Sequence, residues 1–341
     1  MKITQAHTFY NQNRSVHPPC LFCAEPWIDV VDACFNFTTH VIGDDKGYFP
    51  FTPIHNFIGD RIISVPYTDY TCSQSDEETV FGWLDHLKRQ YPKCYMRFRF
   101  TGALEIPVDL GDEWHVTHNA VYHRVPVQEE DRMYQRLSSA FRRGIRKAES
   151  YDIQIIQQND KESLSQFYDL HTLHRSKKFG VLTHPFLFYE KIYENFFKNN
   201  RGFILTASYQ NAIVSRILVL EYDGTFYYKF GASEIDMLHL RSNNMLFWHL
   251  LKIASARKIN EVNLGLSWST ESDQGLRRFK ASMGGKSYPV STITCQPACY
   301  NMVKDQEARQ VLKGISRLLT EGDLDLSTLK AAGEQMFKYF N

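Results

Sequence analysis

Apolar residues along the chain follow two rhythms, and the second half shows both most clearly. Residues 151–157 alternate as a short strand, whereas 161–177 carry Leu164, Phe167, Leu170 and Leu173 on one helical stripe. A second helix is predicted over 186–199, opened by Pro185 at a first-turn position. Three strands follow at 203–209, 213–222 and 225–232, joined by short turns at Gln210-Asn211 and Asp223-Gly224. Then come a helix over 242–257, a strand over 261–266, a helix over 273–283 and a last strand over 287–295. An antiparallel meander feeding a strand–helix–strand crossover predicts an α/β fold, a mixed sheet with helices on both faces.

The first half repeats part of that order. Strands are predicted at 35–42, 47–53 and 61–66, a helix at 77–91 and a strand at 94–100. The run 61–66, 77–91, 94–100 matches 225–232, 242–257, 261–266 in order and spacing, although the residues are barely alike. This element order resembles the GNAT acyltransferase fold. It implies two GNAT-like domains in tandem, joined near 124–130. A degenerate one would cover 1–126, a second carrying the active site 127–300, and a polar helical extension 301–341. The alternative is one elaborated α/β domain.

Composition narrows the function more than the fold. With 39 Lys+Arg against 38 Asp+Glu, the chain has no global field to draw it onto DNA or an anionic membrane, so a polyanion partner needs a local patch. The longest apolar runs, such as 217–220 and 245–248, are far too short to span a bilayer, and the first fifteen residues lack a signal-peptide core. Those features predict a cytoplasmic protein without an integral membrane segment. Seven cysteines suggest no disulfide framework. Cys20/Cys23 and Cys295/Cys299 could make a zinc site only if the chain ends met, and neither pair has a histidine at ligand spacing, so no metal is expected. His171 and His174, at i,i+3 on one helix, are read as packing or surface residues.

Three segments carry candidate chemistry. Residues 131–150 place Met133, Leu137, Phe141, Ile145 and Ala148 on one helical stripe, with Arg142, Arg143 and Arg146 on other faces. Arg142/Arg146 and Arg143/Lys147 are like charges at i,i+4, each costing an isolated helix about 0.2–0.5 kcal/mol, so the helix either offers guanidinium forks to phosphate or is a solvated face. In 272–285, Leu276, Phe279 and Met283 are expected to be buried, leaving Arg277 and Lys280 together on another face before the paired glycines Gly284-Gly285. Lys280 there could neutralise a phosphate or a developing oxyanion. At the junction of strand 225–232 with helix 242–257 stand Arg241, Ser242, Asn243 and Asn244. GNAT enzymes that bind acyl-CoA have a glycine-rich turn there to grip the pyrophosphate, and this chain has no glycine in it.

FRRGIRKAES followed by a strand, the stretch from GASEIDML to EVNLGLS, and GLRRFKASMGG resemble segments of Fem-type proteins, the tandem-GNAT transferases of peptidoglycan bridge formation and their relatives. RIISVPYTDYT is similar to their SLPF-type segment, with Thr71 and Cys72 where glycines usually follow. The resemblance covers about 25–290. It implies transfer of an acyl or aminoacyl group from acyl-CoA or aminoacyl-tRNA to an amine of a cell-envelope or polysaccharide precursor, with no tightly bound cofactor. Carried over residue by residue, Phe279 and Lys280 match the Phe-Lys that supports the transferring carbonyl. Arg142, Arg143 and Arg146 match in position only. The carbonyl would lie beside strand 225–232, near Tyr228, Lys229 and Ser233. Tyr228 and Lys229 point to opposite faces, so at most one of them serves. No general base is identified. A non-catalytic module that binds a phosphorylated saccharide or RNA is the alternative from a different class.

Overall fold

The structure is a computed structural model that describes residues 1–73, 75–107, 110–322 and 324–340. The chain opens with β1 (Lys2–Gln5), α1 (Ala6–Gln12) and α2 (Glu25–Phe35). Next come β2 (His40–Asp44), β3 (Gly47–Asn56), β4 (Gly59–Ser64), α3 (Glu77–Gln90), β5 (Tyr95–Thr101) and β6 (Trp114–Pro126). After α4 (Glu130–Arg136) and α5 (Ser139–Ser150) follow β7 (Gln154–Gln158), α6 (Lys161–Phe179) and α7 (Phe186–Asn195). The meander β8 (Gly202–Tyr209), β9 (Ala212–Tyr222) and β10 (Thr225–Ser233) leads to α8 (Ser242–Ala256), β11 (Glu261–Trp268) and α9 (Gln274–Ala281). The chain ends with β12 (Lys286–Cys295), α10 (Met302–Glu321) and α11 (Leu326–Met336).

Two compact units result. The first comprises 1–121, 288–314 and 338–341, and the second 122–287 and 315–337. In the first, strands run in the order β1-β2-β3-β4-β5-β12-β6, where β6 contributes its first half. β2, β3 and β4 are antiparallel neighbours, and β5 lies parallel to β4 over Arg61–Ile63. Phe49, Trp83, Leu84, Phe98 and Phe100 form the core between this sheet and α3. The second unit takes the rest of β6 and continues β11-β10-β9-β8-β7. Here β7 to β10 are antiparallel neighbours, and β11 lies parallel to β10 over Thr225–Tyr227. Meander, helix and short parallel pair thus occur twice, which makes each unit a GNAT-like domain.

Three expectations need correction. Residues 35–42 are not one strand: α2 ends at Phe35, Asn36 caps it in the left-handed region at φ 55°, and pairing starts at His40. Aromatic and β-branched residues around the cap mimic a strand. Residues 131–150 form two helices, broken at Leu137-Ser138. Ser138 caps α5 by accepting from Phe141 N at 3.1 Å, while its own N–H donates to Ser282 O at 2.9 Å. The apolar stripe survives the break, with Met133, Leu137, Phe141, Ile145 and Ala148 all in the second core. Finally, β12 does not close the second domain but pairs antiparallel with β5 in the first unit.

Candidate active site

The second unit opens its sheet where the two parallel strands part. The β10–β11 ladder stops at Tyr227↔Asn263. Two irregularities follow at that level. On β10, the register against β9 shifts between Tyr228 and Phe230, which makes Lys229 the extra residue of a bulge. On β11, Gly265 takes φ 74°, a conformation that only glycine adopts cheaply, and its N–H turns onto the Asn263 side chain at 2.9 Å.

The kink in β11 turns backbone carbonyls toward α9. Lys280 donates to Gly265 O at 3.0 Å and to Leu266 O at 2.7 Å and is buried. An ammonium held by carbonyls in a buried place is a fixed positive charge with short reach, the kind of group that stabilises a developing oxyanion. Phe279, the preceding residue, packs between Phe141 (5.6 Å between ring centroids) and Phe247 (5.5 Å). Leu276 departs from the expected buried stripe: it is 41% exposed, and Lys280 takes the interior place instead. The carbonyls of the kinked strand override the ordinary rule that lysine faces water.

The bulge separates the two candidates on β10. Tyr228 stacks edge-on against Phe247 at 4.9 Å and so joins the aromatic group around Phe279. Desolvation pushes its phenol up to about 12, so it stays protonated at neutral pH. Lys229 carries its ammonium 5.6 Å from the Phe230 ring, and Phe230 faces His171 and His184 of the opposite layer.

Farther along, Ser233 and Asn243 are hydrogen bonded (Asn243 Nδ2 to Ser233 Oγ, 3.1 Å), tying the end of β10 to the first turn of α8. The Ser233 carbonyl and N–H also meet His174 Nδ1, at 2.7 and 3.1 Å. Ser242 is buried, and exposed Arg241 sits in the left-handed region at φ 60°, with no side chain capping the helix start. The Asn244 amide packs against Gly144 of α5, where a Cβ would come within 2.6 Å of it. That close approach seats α5 beside the α8 N-terminus. Of the α5 arginines, Arg142 donates to Gln135 O at 3.3 Å and lies 6.0 Å over the Tyr134 ring, whereas Arg143 and Arg146 are exposed. Arg277 donates to Trp268 O on β11.

Phe279, Lys280 and Tyr228 therefore gather around the parted strands. Ser233, Asn243 and Asn244 line up at the start of α8, and Lys229 belongs to the other layer. One residue carried no signal in the sequence. His123 on β6 is 3% exposed, and its Nδ1 has no hydrogen-bond partner among the described residues. Burial, then the charges of Lys280 and Arg277, push its imidazole down to about 4, so it is neutral at pH 7. His171 and His174 hold packing roles, His171 Nδ1 lying 2.7 Å from the Tyr189 hydroxyl. Among the described residues no cluster of His, Cys, Asp and Glu could hold a metal ion, and no helix is long and apolar enough to cross a membrane.

A comparison with curated proteins finds no match. The structure of FemX is 14% identical with a TM-score of 0.58, covering 92% of this chain and 100% of FemX. L-PGS from Bacillus licheniformis is 9% identical with a TM-score of 0.54, over 89% of this chain and 96% of that one. The C-terminal domain of an Agrobacterium fabrum protein assigned as a lysylphosphatidylglycerol synthetase is 10% identical with a TM-score of 0.52, over 81% and 88%. At these identities the likeness is one of fold. The family described as acetyltransferase (GNAT) domain matches residues 135–280, from α4 through Lys280. Two GNAT-like domains thus stand in tandem, and the family match falls on the second, where the strands part.

Proposed function

We propose that the chain is an N-acyl- or aminoacyltransferase of the GNAT/Fem type, moving an acyl or aminoacyl group from an activated donor to an amine of a cell-envelope or polysaccharide precursor. The observation that carries this reading is Lys280, buried against the carbonyls of the kinked β11 where β10 and β11 part. The donor carbonyl lies beside β10 past Tyr227. The amine attacks it, the carbonyl oxygen gains charge, and the Lys280 ammonium together with backbone N–H groups of β10 offsets that charge. Loss of one such group typically costs about 3–4 kcal/mol of transition-state stabilisation. The oxyanion then collapses, expelling either the thiolate, with the amine's proton leaving to solvent, or the ribose oxygen, which takes up that proton and leaves as the hydroxyl. Phe279, Phe247 and Tyr228 exclude water from the carbonyl. The start of α8, flanked by Asn243, Asn244 and Arg241, receives the donor's phosphates without a glycine turn.

The test is transfer itself, followed by mass spectrometry with acetyl-CoA and with aminoacyl-tRNA as donors and an amine-bearing muropeptide precursor as acceptor. Wild type should turn over with one donor, and Lys280→Ala should lower kcat by two orders of magnitude or more while leaving donor affinity near wild type. Donor binding without transfer to any amine would sink the catalytic reading and leave a module that only holds its ligand.

A further inference from the structure

The first unit gathers arginines on one face of its sheet. β4 and β5 run parallel with Arg61 opposite Tyr95, so Arg61, Arg97 and Arg99 share one face of the pair. Met96, Phe98 and Phe100 fill the apolar core on the other face. Arg61 is wholly buried, and Arg309 of α10 adds a fourth guanidinium close enough to disfavour the charges of Arg61 and Arg97. Asp305 and Asp69 act on them electrostatically. Asp305 is engaged by Arg309 Nε at 2.5 Å and by the Tyr300 hydroxyl at 3.1 Å, and Asp69 acts on Arg99. Burial pushes Arg61 and Arg99 down to about 10, which leaves both charged at neutral pH, and it lowers Arg97 as well.

Arg97 is the group left over. It has no hydrogen bond or ion pair with any described residue, although its neighbour Arg99 reaches Thr68 O at 3.5 Å. A cleft of about 150 Å³ opens on this face, lined by Arg97, Arg99, Ser64 and Thr68. That is room for roughly five waters, or for a phosphate group and its first neighbours. Thr292, directly opposite Arg99 on β12 and therefore on the same face, also keeps its hydroxyl buried with no partner among the described residues. The uncommitted Arg97 guanidinium is a planar fork matched to two oxygens of one phosphate, and Arg99 stands two residues along on the same face of the strand.

We propose that this cleft of the first unit is a binding site for a phosphate-bearing ligand, with the Arg97 guanidinium as its principal donor and Arg99 as its second. The inference concerns the first unit alone and stands whether or not the second unit is catalytic.

Titration of the full-length protein with inorganic pyrophosphate, inorganic phosphate and a nucleoside diphosphate, at fixed ionic strength in chloride, tests it. Pyrophosphate should bind saturably with a Kd of about 1 mM or below. Arg97→Ala should weaken that binding roughly tenfold or more by losing a charge-assisted pair, Arg97→Lys less so. Arg89→Ala, an exposed arginine of α3 paired with Asp85, should bind as wild type. A nucleoside diphosphate that binds tighter than pyrophosphate identifies a nucleotide as the ligand, and equal affinity identifies the phosphate alone. Should Arg97→Ala not fold, phenylglyoxal modification of the wild type replaces it: Arg97 should be protected by pyrophosphate and not by chloride. No saturable binding of any of the three anions overturns the proposal. So does full affinity in Arg97→Ala, or unprotected Arg97.

Discussion

His123 gives the sharpest test of the electrostatics around Lys280. Protonating this buried imidazole would add another positive charge near Lys280 and Arg277. The unfolded chain takes up that proton near 6.5, whereas the folded protein resists it down to about 4. In that window the unfolded state binds more protons, so stability is full above 6.5 and is lost as pH falls toward 4. Between pH 7 and pH 5 this one group removes about 2 kcal/mol, and across the whole window about 3 kcal/mol. His171, His174 and His184 of the same unit are also lowered by burial and act in the same direction. The measurement is therefore a difference. Urea stability of wild type and His123→Leu is compared at pH 7 and pH 5, with hydrogen exchange of β6 and β11 peptides as the local readout. The variant should lose about 2 kcal/mol less than wild type over that interval. Equal losses, or an NMR titration placing His123 near 6.5, would refute the reasoning. Lys280→Met should move the His123 pKa only part of the way back, because burial outranks the lysine among its causes.

Two further predictions concern packing and caps. In Gly144→Ala the new methyl meets the Asn244 amide; overpacking costs about 1–3 kcal/mol, and the better helix propensity of alanine returns about 1 kcal/mol. The net result is a lower Tm together with weaker donor binding, and an unchanged Tm would mean that Asn244 moves freely. Asp160 caps α6 by accepting from Ser163 N at 2.8 Å, so Asp160→Ala should destabilise the second unit by about 1 kcal/mol in chemical denaturation while leaving anion binding by the first unit intact.

The second unit was largely legible because its central strands are long, mostly apolar runs, and its turns fall at Gln210-Asn211 and Asp223-Gly224, where all four residues have positive φ. The first unit was less so. α2 packs Trp27, Ile28, Val30 and Val31, residues as much at home in a strand as in a helix. β6 carries His115, His118 and His123 through its length, which hides its alternation. At the candidate site, Phe279-Lys280 was found by resemblance, and periodicity alone would have put Lys280 outside. Its burial depends on the positive φ of Gly265, a backbone feature with no periodic trace. His123 was invisible because a single histidine between Tyr122 and Arg124 says nothing about which charges it will meet. The arginine face of the first unit was overlooked for the opposite reason: RFRF at 97–100 reads as an ordinary strand with a polar outer side.

The return of β12 to the first unit sets an order of maturation during synthesis. β5 is complete at Thr101, yet its neighbour β12 emerges roughly 190 residues later, some ten to forty seconds at ordinary elongation rates. By then β7 to β11 are already out of the ribosome, so the later domain is able to close its sheet while the earlier one still waits for a strand. Until β12 arrives, one side of β5 is an unpaired edge, the kind of surface that recruits other chains. The sheet begun in the first half of the sequence is thus the last to close, and a nascent chain stalled before Lys286 holds an open edge on β5.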